Sequence, residues 1–67
     1  MKVRVLYRGQ WLELEFEGEK VKALELLKAM GLSRESAFVV RGEELLTEED
    51  FIKDGEEVRV VNAISGG

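Results

Sequence analysis

The glycines Gly66 and Gly67 at the end of the sequence are the residues whose chemistry stands out. Two consecutive terminal glycines arise by chance in roughly 0.5% of chains, because glycine makes up about 7% of average composition. A backbone without Cβ atoms can enter a channel too narrow for side chains, and it leaves a terminal carboxylate open to a nucleophile. The pattern predicts a carboxylate that is presented to another protein, with a cloning scar as the alternative explanation.

Two of the side chains that enzymes use most often in catalysis are missing. The sequence contains no Cys and no His, which removes the thiolate, the imidazole and the usual ligands of transition metals. Its 14 acidic residues are typical of a solvated surface, because charged side chains are rarely buried in a small domain. We therefore expect a protein that is not an enzyme, with no catalytic residue, no metal site and no bound cofactor.

Length and charge restrict the architecture and the partners. A chain of 67 residues allows one domain with one small core. Its formal net charge of -4 argues against direct nucleic-acid binding, which needs clustered Lys and Arg, and favours a basic protein partner. No apolar run approaches the roughly 20 residues that span a bilayer, so we expect a cytoplasmic monomer without membrane contact. The charged fraction of 36% is typical of heat-adapted proteins.

The periodicity of apolar residues predicts a hairpin followed by a helix. Residues 2–7 and 12–17 alternate apolar with polar side chains, as half-buried strands do, and Gly9 supplies a turn between them. Residues 21–30 carry apolar side chains at spacings of three and four, which predicts a helix. Gly31 is expected to end this helix in the left-handed conformation.

The second half of the chain predicts three further strands. They are expected at residues 37–41, at Leu45 and Leu46, and at residues 57–61. Between the last two, Thr47 is expected to cap a single helical turn that carries Phe51 and Ile52 inward.

This element order predicts an α+β fold. A single amphipathic helix must cover its apolar face, so we expect it to pack on one side of a mixed sheet of four or five strands. The first and last strands should be central and parallel. Residues 1–61 are expected to form this domain, and residues 62–67 a flexible tail.

Alternation along the strands also predicts a face of the sheet that points away from the helix. We place Val40 toward the helix and expect Arg4, Arg41 and Arg59 on the outward side. Apolar side chains gathered on an open sheet face are typical of a docking surface. The predicted partner-docking residues are Leu6, Trp11, Val39, Val61, Ile64 and Ser65.

The element order and the diglycine ending resemble the β-grasp fold of ubiquitin-like proteins over essentially the whole chain. Residues 39–47 and the ending Ala-Ile-Ser-Gly-Gly at 63–67 look like the prokaryotic sulfur-carrier branch. That branch includes the thiamine-pathway carrier, the small subunit of molybdopterin synthase and the carriers for tRNA 2-thiolation. The last group looks most similar, because the other two are associated with a Val-Ala-Gly-Gly ending. The small archaeal modifier proteins share the architecture and the diglycine.

The resemblance implies a mechanism in which partner enzymes perform the chemistry. An E1-like adenylating enzyme, using ATP and Mg²⁺, would transfer AMP to the carboxylate of Gly67. A persulfide donor would then convert it to a thiocarboxylate, from which a downstream acceptor enzyme draws sulfur. Gly67 would carry the sulfur, and Gly66 would give access. Conjugation to lysines, sulfur delivery to molybdopterin or thiamine synthesis, and a noncovalent interaction module remain alternatives.

Overall fold

The structure is a computed structural model that describes residues 1–63. Over this part of the chain a five-stranded sheet and a two-stranded sheet surround one helix. No helix within the same residues is long and apolar enough to cross a membrane. The elements are β1 (Lys2–Tyr7), β2 (Gln10–Glu15), β3 (Lys20–Lys22), α1 (Ala23–Ala29), β4 (Ala37–Arg41), β5 (Glu44–Leu46), β6 (Phe51–Lys53) and β7 (Glu57–Asn62).

The five-stranded sheet has the order β2-β1-β7-β4-β5. Strands β1 and β7 are parallel neighbours near its centre, and all other pairs in it are antiparallel. Val5 of β1 lies beside Val58 of β7, and both side chains are buried. The predicted α+β fold of β-grasp type, with its first and last strands central and parallel, is confirmed. Strand β7 runs through Asn62, the first residue of the predicted tail, and residues 64–67 of that tail lie outside the described residues.

The two-stranded sheet formed by β3 and β6 was not predicted. Val21 pairs with Ile52, whose side chain is fully buried, whereas the neighbouring Phe51 is exposed. The expected helical turn at Thr47 is instead a hydrogen-bonded turn, in which the Thr47 N–H donates to Asp50 Oδ2 at 2.8 Å. After this turn the chain forms strand β6, which pairs with β3 and satisfies backbone N–H and C=O groups of both strands. Of Phe51 and Ile52, only Ile52 points inward.

Helix α1 begins at Ala23, two residues later than predicted, because Val21 belongs to β3. Its first N–H groups are satisfied by backbone carbonyls rather than by a side-chain cap, with the Ala23 N–H donating to Asp50 O at 2.9 Å. At the other end Gly31 has a φ of 75° and Leu32 donates to Leu27 O at 2.9 Å. This is a Schellman motif, and it confirms the predicted helix end.

The register of β4 corrects one of our predictions. Val39 is 1% exposed and lies opposite the buried residues Leu46 and Val60, so it faces the helix. Val40 and Phe38 therefore lie on the outer side of the sheet. Strand β4 carries apolar residues on both faces, so its own periodicity could not determine its register.

Candidate functional site

We call the face of the five-stranded sheet that lies opposite α1 the open face. One row of neighbouring residues crosses this face. Strand pairing places Trp11, Leu6, Arg59, Val40 and Leu45 side by side in this order, one from each strand. Trp11 is 50% exposed and Leu45 is 62% exposed. A shallow depression between Trp11 and Val40 gives this row a concave centre. The open face therefore offers apolar surface on both sides of Arg59 that residues 1–63 leave exposed to solvent.

Two arginines lie within or beside this row. The guanidinium of Arg4 lies over the Trp11 ring, 4.6 Å from its centroid, and also pairs with Glu57. Arg59, in the middle of the row, forms no ion pair with any side chain of residues 1–63. Because Arg59 lies among apolar side chains, the centre of the row suits an acidic side chain of a partner.

The base of the tail lies at one end of the open face. Val61 of β7 lies opposite Phe38 of β4, and both are half-buried. One residue past β7, the Ala63 N–H donates to Ser36 O at 2.8 Å. The Asn62 side chain accepts a hydrogen bond from the Tyr7 hydroxyl at 3.2 Å. These bonds determine where the chain leaves the domain, beside the open face.

Arg41 does not lie on the open face, and our prediction for it was wrong. Because the register of β4 is shifted by one, its side chain reaches the β6 side. There Nη1 donates to Phe51 O at 3.0 Å and approaches Glu56 at 3.3 Å, while Nη2 pairs with Glu44 at 3.0 Å. The hydrogen bond to Glu44 raises the pKa of Arg41, so the side chain stays charged. These contacts join β4 to β5, to β6 and to the segment before β7.

The structure brings together three of the six predicted docking residues, namely Leu6, Trp11 and Val61. Val39 is not among them, because it is buried in the core. Ile64 and Ser65, like Gly66 and Gly67, lie outside the described residues. That the open face binds a partner stays a prediction.

Sequence reasoning missed the open-face residues Phe38, Val40 and Leu45. The pairing of β4 with β5 and β7 would have revealed them, because residues opposite one another share a face. Within residues 1–63 no cluster of carboxylates could hold a metal ion.

Comparison with known proteins identifies the family. No protein-family model matches the chain. However, the sulfur carrier protein TtuB of Thermus thermophilus is 44% identical over 55 residues, which are 82% of this chain and 83% of that protein. The chain belongs to the sulfur carrier proteins. The predicted resemblance to the prokaryotic sulfur carriers is thus confirmed.

The fold of the sulfur carrier also matches a solved structure. A chain in the crystal structure of ATBAG1 in complex with HSP70 superposes with a TM-score of 0.77 at 15% identity. The match covers 92% of this chain and 40% of that chain. At this identity the likeness shows the fold alone.

Proposed function

We propose that this sulfur carrier holds its sulfur as a thiocarboxylate on Gly67 and delivers it for tRNA 2-thiolation. The observation that carries the proposal is the 44% identity to a sulfur carrier protein over most of both chains. The ending Ala-Ile-Ser-Gly-Gly at residues 63–67 supports tRNA thiolation over the thiamine and molybdopterin pathways.

The chemistry begins with activation of the carboxylate. An E1-like enzyme that binds ATP and Mg²⁺ joins AMP to the Gly67 carboxylate and releases pyrophosphate. A carboxylate resists nucleophiles because oxide is a poor leaving group, whereas AMP leaves readily. The terminal sulfur of a persulfide then attacks the acyl carbon and expels AMP. A thiol cleaves the remaining S–S bond, which leaves the thiocarboxylate on Gly67 and a disulfide on the donor.

The open face is proposed to dock the activating enzyme. Its apolar row of Trp11, Leu6, Val40 and Leu45 provides area for burial, and Arg59 provides a charge for orientation. Four residues follow Ala63 and span at most roughly 14 Å when extended. An enzyme seated on this face would therefore have its adenylation site within that distance of Ala63.

Deletion of Gly67 tests the activation step. ATP–pyrophosphate exchange by the host activating enzyme should fall to background with the shortened chain, because Gly66 would then end the tail one residue short. Thermal unfolding should change little, because the buried core lies between Val3 and Val60. Undiminished exchange would contradict adenylation at Gly67, and a large loss of stability would give the tail a structural role.

Intact-mass analysis separates sulfur transfer from protein modification. After activation in the presence of a persulfide donor, the proposal predicts exchange of one oxygen for sulfur at the C-terminus. If the products were isopeptides on lysines and no such exchange occurred, the protein would act as a modifier instead of transferring sulfur.

A further inference from the structure

Strand β2 forms a free edge of the five-stranded sheet. It pairs with β1 on one side, and within residues 1–63 no strand pairs with its other side. The strand spans residues Gln10–Glu15, whereas the opposite edge strand, β5, spans only Glu44–Leu46. A free edge carries backbone N–H and C=O groups that can pair with another extended chain. Strand β2 is thus the longer of the two edges of this sheet.

The hydrogen-bond pattern shows which backbone groups point outward from β2. Met1 and Phe16 exchange two hydrogen bonds, of 2.8 and 2.9 Å, across the start of the hairpin. Bonded and non-bonded pairs alternate along an antiparallel ladder, so the next pair, Lys2 and Glu15, is non-bonded. In agreement, the Arg4 N–H points away from β2 and donates to Glu56 O at 3.2 Å.

Continuing the alternation, the backbone groups of Trp11, Glu13 and Glu15 point to the free edge. These three residues lie at every second position, which is the spacing that a pairing strand requires. The edge therefore presents three N–H and C=O pairs in register.

The side chains along this edge differ between its two faces. Leu12 and Leu14 point toward the helix side and are only half-buried against the core. Glu13 and Glu15 lie on the open face with side chains 59% and 73% exposed. Lys2 approaches both carboxylates at 3.8 and 3.9 Å, but ion pairs this exposed contribute little. An added strand would meet apolar side chains on one face and carboxylates on the other.

We propose that the β2 edge binds an extended segment of a partner protein in which basic residues alternate with β-branched apolar residues. In an antiparallel addition, the basic side chains lie opposite Glu13 and Glu15, and the apolar ones lie opposite Leu12 and Leu14. A second copy of this chain is a poor occupant, because antiparallel pairing of two β2 strands sets glutamates against glutamates. This surface goes beyond the proposed function, since it uses neither the tail nor an activating enzyme.

Hydrogen exchange with a synthetic peptide tests the proposal on the full chain. The probe is a blocked peptide, Arg-Val-Arg-Val-Arg-Val-Arg, and the matched control, Arg-Arg-Val-Val-Val-Arg-Arg, has the same composition without the alternation. The probe should slow exchange of the Trp11, Glu13 and Glu15 amides about tenfold and leave the β5 amides unchanged. Equal binding of both peptides, or unprotected Glu13 and Glu15 amides, would overturn the proposal in favour of nonspecific charge attraction.

Charge variants test the part played by the carboxylates. Glu13→Lys with Glu15→Lys should weaken probe binding about tenfold in titration calorimetry. Glu35→Lys with Glu43→Lys changes the net charge equally at exposed positions away from β2 and should weaken it far less. If the first pair disturbs the circular dichroism spectrum, Glu13→Gln with Glu15→Gln is compared with Glu35→Gln and Glu43→Gln, which changes the net charge equally without new repulsion. Equal losses in both pairs would show that net charge alone attracts the peptide.

Discussion

Arg41 shows how one side chain can join separate parts of a small domain. It extends from the end of β4, donates to the backbone of β6 at Phe51, and pairs with Glu44 of β5 and with Glu56 in the turn before β7. The planar guanidinium can make these contacts together, because its donors point in several fixed directions. A lysine has a single nitrogen and could keep only part of the set.

We expect Arg41→Lys to lower the free energy of unfolding by about 1 kcal/mol, because the bond to the Phe51 carbonyl and one of the ion pairs are lost. The matched control is Arg59→Lys, which removes no ion pair within residues 1–63 and should change stability by less than about 0.5 kcal/mol. Urea unfolding followed by circular dichroism measures both. Equal effects of the two substitutions would mean that the Arg41 contacts do not contribute.

Two adjacent residues of strand β4 lie on opposite faces of the sheet, one in the core and one on the open face. Val39 is enclosed between the helix and its neighbours Leu46 and Val60, whereas Val40 lies in the open-face row beside Arg59. Both are valines, so the two positions differ only in their surroundings. They make a matched pair for testing the face assignment.

Val39→Asp should unfold the domain, because it buries a carboxylate without a partner. Val40→Asp should stay folded and weaken binding of the activating enzyme at least about tenfold, since burial of a valine contributes roughly 1.5 kcal/mol or more. Circular dichroism and titration calorimetry measure the two effects. If the Val39 variant folded and the Val40 variant did not, the assignment of these two residues to the two faces of the sheet would be wrong. Normal binding by the folded Val40 variant would show that the activating enzyme docks on another surface.

Over residues 1–63 the buried core and the charged side chains occupy separate regions. The fully buried side chains, such as Leu26 and Ile52, lie between the helix and the sheets. On the open face, Glu13 and Glu15 line the β2 edge, while Arg4 and Arg59 lie closer to the apolar row, so the charge is unevenly distributed over this face. Stability and transfer should therefore respond to different substitutions.

Leu26→Ala should lower the free energy of unfolding by about 2–5 kcal/mol, because it leaves a cavity at a fully buried position. In a domain of this size that corresponds to a fall in melting temperature of at least about 8 °C. Leu45→Ala, at an exposed position, should leave the melting temperature within about 4 °C of the original. Differential scanning calorimetry measures both, and similar losses would contradict the assignment of the core.

Sequence periodicity was sufficient to predict an element where one face of that element is apolar and the other polar. It predicted β1 and β7, and it predicted β2 two residues later in the sequence than the strand lies. The helix end was predicted from Gly31, and the parallel pairing of the first and last strands from the order of the elements. It was insufficient for β3 and β6, because strands of three residues are too short to show a period.

The sequence by itself determined the family and the fold class, because these depend on local patterns and on identity to a known relative. The chemistry proposed at Gly66 and Gly67 also comes from the sequence and stays a proposal. Only the tertiary structure decided which residues share the open face. Strand β4 is apolar on both sides, so pairing with β5 and β7 alone set its register, burying Val39 and exposing Val40. That one-residue shift also moved Arg41 from the open face to β6, since side chains alternate at every residue of a strand.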